Sequence, residues 1–236
     1  MLDFHKTINE GRCKMNPRKI IVMRHAESQE DIDKTVYAHT ADLDIALSKN
    51  GEAQAINVSA KLSGMLSGGT VHFYMSPGLR LRQTYEFVTA RFSKIITHSF
   101  TVETLILKQF WGDVTVENRR EIEIARYKEG VLVYRFPNGE SGHQLVERFK
   151  LFVENLRNEF QKDNFPENIV ILTHGFEMRI FLMVWFGWSV SYFERLANPR
   201  NCEMVTLSLR SDGSYILEDS LRMYDPASNA QHIARK

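Results

Sequence analysis

Residues 19–31, KIIVMRHAESQED, run four apolar residues, Ile20 to Met23, directly into Arg24 and His25 and then into acids. A short unbroken apolar run bounded by charge is how a strand buried on both faces reads, because such a strand lacks the polar alternation of a half-solvated sheet. Two more runs have this character, VHFYM at 71–75 and NIVILTH at 168–174, and EMVTLSL at 203–209 gives a fourth strand. Helical periods fill the intervals. Ser48 stands as N-cap before residues 49–66, whose Ala53, Ile56, Ala60, Leu62 and Met65 are expected to form the buried stripe. Ser76-Pro77 reads as N-cap and first-turn proline of a helix through Phe92. A helix from Glu140 to Phe160 carries Leu145, Phe149, Phe152, Val153 and Leu156 on one face, and an apolar helix runs from Glu177 to Trp188. Its aromatic residues Phe181, Trp185, Phe186 and Trp188 read as core packing rather than a stacking platform.

This alternation predicts an α/β fold, a three-layer sandwich with a mostly parallel central sheet. In such sheets ligands gather beyond the carboxyl ends of the strands, which places Arg24-His25, Ser76-Pro77 and His174-Gly175 together. Residues 110–138 are charge-rich and without a strong apolar period, so an insertion over the site is expected there, a lid or partner surface. The domain then spans 19–225, preceded by an extension at 1–18 and followed by a tail at 226–236.

Of the 236 residues, 43% are hydrophobic and 25% charged, enough apolar material for a substantial core. A net charge of +1 supplies no global field for nucleic acid, so any anion site must be local. The longest apolar segment, 179–188, is about half a bilayer span, and no membrane span is expected. Cys13 and Cys202 form no CxxC pair, which points to a reducing, cytoplasmic setting and to no bound metal. Lys6, Arg12, Lys14 and Arg18 are interrupted by Asp3 and Glu10, leaving organelle import open. Composition sets no oligomeric state.

Two histidines and two arginines, His25, His174, Arg24 and Arg80, would make a compact cationic pocket suited to phosphate. Guanidinium forks match phosphoryl oxygens, and a neutral imidazole can attack phosphorus. A lone histidine at a strand end is more often packing than nucleophile. The combination matters more: RHAES (24–28), SPGLRLRQT (76–84), PNGES (137–141) and THGFEMR (173–179) occur in this order on the expected elements. Across roughly 19–210 the chain resembles the histidine phosphatase superfamily, also called phosphoglycerate-mutase-like. The resemblance implies that His25 is the phosphorylated nucleophile, that Arg24 and Arg80 clamp the phosphoryl group, and that His174 donates to its oxygens. It implies no metal and no cofactor.

Four positions depart from the family pattern: Ala26 for glycine, Asp31 for asparagine, Lys108 for the glutamate that serves as general acid, and Gln144 for aspartate. A methyl at Ala26 would strain the loop if the backbone there needed positive φ. Asp31 and Lys108 are expected to face one another as an ion pair across the pocket mouth. Glu103 and Glu177 are the candidate substitute acids, and Gln144, where relatives carry aspartate, is expected to affect only local capping. The expected function is a metal-independent phosphomonoesterase that acts through phosphohistidine on a small phosphorylated compound. A catalytically impaired pseudophosphatase is the alternative, binding a phosphate-like anion or a protein partner through 110–138 within a larger assembly. A third reading is phosphoglycerate-mutase-type phosphotransfer.

Overall fold

The computed structural model describes residues 16–224. Cys13, most of the N-terminal extension and the C-terminal tail lie outside the described residues. In chain order the elements are β1 (Lys19–Arg24), α1 (Gln29–Ile32), two short 3-10 turns at Lys34–Ala38 and Asp42–Asp44, α2 (Lys49–Leu66), β2 (Gly69–Met75), α3 (Leu79–Thr89) and β3 (Ile96–Val102). A 3-10 turn at Thr104–Ile106 leads to α4 (Arg119–Glu129), α5 (Gly142–Glu159), β4 (Asn168–Thr173), α6 (Gly175–Phe186), α7 (Val190–Glu194), β5 (Met204–Leu209) and β6 (Tyr215–Leu217).

The six strands form one sheet in the order β3-β2-β4-β1-β5-β6. β1, β2, β3 and β4 run parallel, whereas β5 pairs antiparallel with β1 and β6 antiparallel with β5. Alternate residues of β1 enter opposite cores: Ile20 and Val22 join Phe149, Phe152, Ile180 and Phe181, while Ile21 and Met23 join Leu47, Ala55, Leu62 and Leu81. Both faces are therefore dry, which is why the run is apolar without alternation. Each fully buried side chain of this size contributes roughly 1.5–3 kcal/mol. Phe181 is fully buried, and Trp185, Phe186 and Trp188 pack partly buried against the same core. No helix among the described residues is long and apolar enough to cross a membrane.

Two local expectations need correction, and one strand went unread. α2 buries Gly51, Ala55, Ser59, Leu62 and Leu66, whereas Ala53 and Ala60 are exposed and Ile56 and Met65 only half-buried. Its phase is set by small residues at close approaches: a Cβ on Gly51 would strike the Glu27 carbonyl, and Ser59 Oγ donates to Val88 O at 2.6 Å. α3 starts at Leu79 behind Gly78, whose φ of 131° suits glycine, so Ser76-Pro77 is a linker and not the cap. β3 is an edge strand with six of its seven residues exposed, a pattern that a search for buried apolar runs passes over. Ser48 does cap α2, accepting from Gly51 N, and Ser141 and Gln144 form a capping box at α5.

Candidate active site

The register of three adjacent parallel strands assembles the site. Arg24 lies opposite Thr173 across β1 and β4, and Met75 opposite Leu172 across β2 and β4, so the next residues, His25, His174 and Ser76, emerge side by side. The His25 and His174 rings meet edge to face, 5.1 Å between centroids. Both are almost wholly buried.

His25 Nδ1 lies 2.7 Å from the carbonyl of Ala26. A carbonyl can only accept, so Nδ1 carries the proton and Nε2 keeps its lone pair. Burial first, then the Arg80 and Arg24 cations, push the His25 pKa down to about 3, against a smaller opposing effect of Asp31. The ring is therefore neutral at physiological pH. His174 is held well below its ordinary value by burial and by Arg80. Its Nδ1 faces Arg80 at 3.4 Å, and because a guanidinium only donates, Nε2–H is the donor to Ser76 Oγ at 3.1 Å.

Both arginines are already engaged. Arg24 donates to the carbonyl of Pro199 at 2.8 Å and to Asp31 Oδ1 at 2.6 Å. Arg80, fully buried, donates to the carbonyl of Asp42 at 2.5 Å and to its Oδ2 at 3.0 Å. Among the described residues, the Nε of each is buried without a partner. Asp31 Oδ2 also accepts from Ser28 N and Ser28 Oγ, both at 2.9 Å, and from Asn201 at 3.2 Å. Burial alone would raise the Asp31 carboxyl, but Arg24, then His25 and Ser28, hold it down at about 2.

The expected Asp31–Lys108 pair does not form. Lys108 Nζ instead donates to Glu30 Oε2 at 3.0 Å, Asp42 Oδ1 at 2.7 Å and Tyr37 Oη at 2.6 Å. The two adjacent carboxylates of α1 part company, Asp31 to Arg24 and Glu30 to Lys108, and Asp42 from the second 3-10 turn completes the lysine's partners. Burial opposes ionisation of Glu30 and Asp42, yet Lys108 holds both below the usual carboxylate range. Ala26 is buried, its backbone is not in the positive-φ region, and its N–H donates to Thr84 Oγ1 at 3.1 Å. The methyl therefore strains nothing.

Of the two candidate acids, only Glu177 reaches the site. It lines the cleft with His25, His174 and Lys108, and burial raises its pKa, partly offset by Gln109 N, which donates to it at 2.7 Å. Glu103 turns back to accept from Leu105 N at 2.8 Å and lines a separate cavity with Tyr74 and Glu159. The cleft measures about 310 Å³, and Trp111, Arg119, Glu123, Arg126 and Tyr127 from the 110–138 segment form one wall.

The model of the histidine phosphatase superfamily (branch 1) matches residues 20–219. The chain belongs to that superfamily. It is 38% identical over 218 residues to Phosphoglycerate mutase-like protein AT74H of Arabidopsis thaliana, covering 86% of this chain and 78% of the relative. It is also 32% identical over 124 residues to Broad-range acid phosphatase DET1 of Saccharomyces cerevisiae, covering 50% of this chain and 37% of the relative. The alpha-ribazole phosphatase from Shigella flexneri shares the fold, with a TM-score of 0.64, 17% identity and coverage of 87% and 95% of the two chains.

Within the superfamily frame, the sequence reading missed Asp42, Glu30 and Tyr37, and it missed what Ser76 touches. Asp42 and Glu30 supply the carboxylates on Arg80 and Lys108, Tyr37 accepts from Lys108, and Ser76 orients His174. Asp42 and Tyr37 come from 3-10 turns without a motif, so only the fold brings them in. The strand end did place Ser76 at the site, but as a helix cap rather than as the partner of His174.

Proposed function

We propose that this chain is a metal-independent phosphomonoesterase that acts through a phosphohistidine at His25 on small phosphorylated compounds. The observation that carries the reading is the buried, neutral His25, whose Nδ1–H is pinned to Ala26 O so that Nε2 is free to attack between Arg24 and Arg80. A substrate phosphoryl group takes the guanidinium donors that Asp31 and Asp42 now hold. Nε2 bonds to phosphorus as the bond to the leaving oxygen breaks, and Glu177, protonated more readily than an ordinary carboxyl, gives that oxygen a proton. Water then attacks the phosphohistidine, its proton passes to the Glu177 carboxylate, and His25 and inorganic phosphate are released. The dianion's own field raises the pKa of His174, making it a donor to the phosphoryl oxygens. Relatives named as phosphatases support the class of reaction.

The 110–138 segment would act as an insertion that shapes the cleft wall. One observation favours a second reading, the impaired pseudophosphatase: each clamp arginine already has an internal carboxylate, and Lys108 stands where the family has its acid. Turnover of an aryl phosphate and an alkyl phosphate by the purified protein beside His25→Ala separates them. Hydrolysis that the variant abolishes supports the enzyme, and equal background rates support the scaffold.

A further inference from the structure

Arg80 gives two donors to Asp42, and the two bonds differ in kind. Nη1 donates to the Asp42 backbone carbonyl at 2.5 Å, and Nη2 donates to Asp42 Oδ2 at 3.0 Å. Nη2 also faces His174 Nδ1 at 3.4 Å, so it is the donor aimed at the histidines. A phosphoryl oxygen there can claim Nη2 only if Oδ2 leaves it. The carbonyl bond at Nη1 can stay, because rotating the Asp42 side chain does not move the turn at Asp42–Asp44.

The groups that can receive the departing carboxylate already touch it. Asp42 Oδ1 accepts from Lys108 Nζ at 2.7 Å and from Tyr37 Oη at 3.0 Å, whereas Oδ2 has the single donor Arg80 Nη2 among the described residues. Lys108 Nζ also donates to Tyr37 Oη at 2.6 Å and to Glu30 Oε2 at 3.0 Å. An ammonium has three N–H donors, so these three acceptors exhaust it and leave none for substrate. Burial opposes ionisation of Asp42, and of the cations that keep it ionised Lys108 outweighs Arg80. The carboxylate therefore keeps its charge and its stronger counter-ion when it lets go of the arginine. Asp31 is built differently: its second oxygen rests on Ser28 and Asn201, which carry no charge, and Arg24 is its one salt-bridge partner among the described residues.

We propose that Lys108 and Tyr37 are positioning residues that take over the Asp42 carboxylate when a phosphoryl group claims Arg80. This rests on the phosphatase reading, in which Arg80 clamps the phosphoryl group. Arg80 is fully buried, so a guanidinium there is costly without a counter-charge. Asp42 supplies that charge until phosphate arrives, and the arginine then exchanges one anion for another. Without Lys108 the displaced carboxylate would have no cation to turn to and would stay on Arg80, beside the incoming dianion. Lys108 thereby promotes phosphate binding without touching phosphate.

The test is calorimetric binding of inorganic phosphate to the full-length protein in a double-mutant cycle. Lys108→Met should weaken phosphate binding by about tenfold, because Asp42 is left with Arg80 as its one cation. Beside Asp42→Asn the same change should cost about twofold or less, since no carboxylate remains to be taken over. Tyr37→Phe alters no charge, and it should weaken binding by about threefold in the wild type and leave it unchanged beside Asp42→Asn. Thermal melts show which variants are folded, and Tyr37→Phe carries the cycle if Lys108→Met does not fold. Equal losses in both backgrounds would mean that the pair acts on phosphate directly and would overturn the proposal. So would the absence of a loss from either variant, or phosphate that binds neither the wild type nor Asp42→Asn. Failure of the phosphatase reading shows separately, as aryl phosphate hydrolysis no faster in the wild type than in His25→Ala, and leaves the phosphate affinities readable.

Discussion

Arg80 and Lys108 share one carboxylate: Asp42 Oδ2 lies 3.0 Å from Arg80 Nη2, and Asp42 Oδ1 lies 2.7 Å from Lys108 Nζ. Lys108 is thereby tied to Arg80. The tie holds a carboxylate where a phosphoryl oxygen would seek its donor. Asp42→Asn keeps the shape and removes the competing charge. Inhibition of aryl phosphate hydrolysis by inorganic phosphate should strengthen by roughly tenfold in that variant, on the scale of one charge-assisted hydrogen bond. An unchanged inhibition constant would mean that Asp42 does not compete with phosphate.

Lys108 also serves stability. It is the shared partner of Glu30 and Asp42, and the Glu30 side chain is only 8% exposed. Lys108→Met leaves a buried carboxylate short of its cation and should cost about 1–3 kcal/mol in denaturant unfolding. Lys108→Glu should cost more, because a third carboxylate then joins the other two. A Lys108→Glu variant as stable as the wild type would contradict this arrangement.

Glu177→Gln removes the proposed proton donor with little change in shape. The rate on alkyl phosphates should fall by about 10²-fold and the rate on aryl phosphates much less, since a good leaving group needs no proton. The pH profile has a definite sign. Burial raises the Glu177 pKa, so the protonated form persists above the usual carboxyl range, and alkyl phosphate turnover declines as pH rises through that raised value. A Gln variant with equal losses on both substrate classes would assign Glu177 a positioning role.

Acid should destabilise the fold in two windows. The folded-state pKa of His25, about 3, lies below its unfolded value near 6.5, so the unfolded chain binds the extra proton and stability declines as pH falls from about 6.5 toward 3. His174 acts in the same direction. Asp31, depressed to about 2, contributes stability that is present above its unfolded pKa of about 4 and is lost as pH falls through 2. His25→Gln should flatten the upper window and Asp31→Asn the lower one in urea melts across pH. Parallel curves for wild type and both variants would contradict the burial argument.

The sheet was legible because β1 and β4 are buried on both faces and announce themselves as apolar runs, and because β2, though His72 interrupts it, buries Val71 and Phe73 to Met75. β3 lacks that mark as an exposed edge, and α2 hides its phase because its buried contacts are Gly51, Ala55 and Ser59 rather than large side chains. Strand ends likewise gave the pair His25 and His174 and the arginine on β1. Salt-bridge partners were not legible: Asp31 turns to Arg24, seven residues back, while Lys108 reaches Asp42, 66 residues away. Glu103 illustrates the converse, a residue at plausible spacing whose side chain caps its own 3-10 turn.

The most direct test of the account is rapid acid-free quenching of the protein with a radiolabelled aryl phosphate, followed by the stability of the label on the denatured chain. The account predicts label that survives alkali, is lost in acid, and is absent from His25→Ala. Turnover without such label, or label that persists in the variant, would contradict a phosphohistidine at His25.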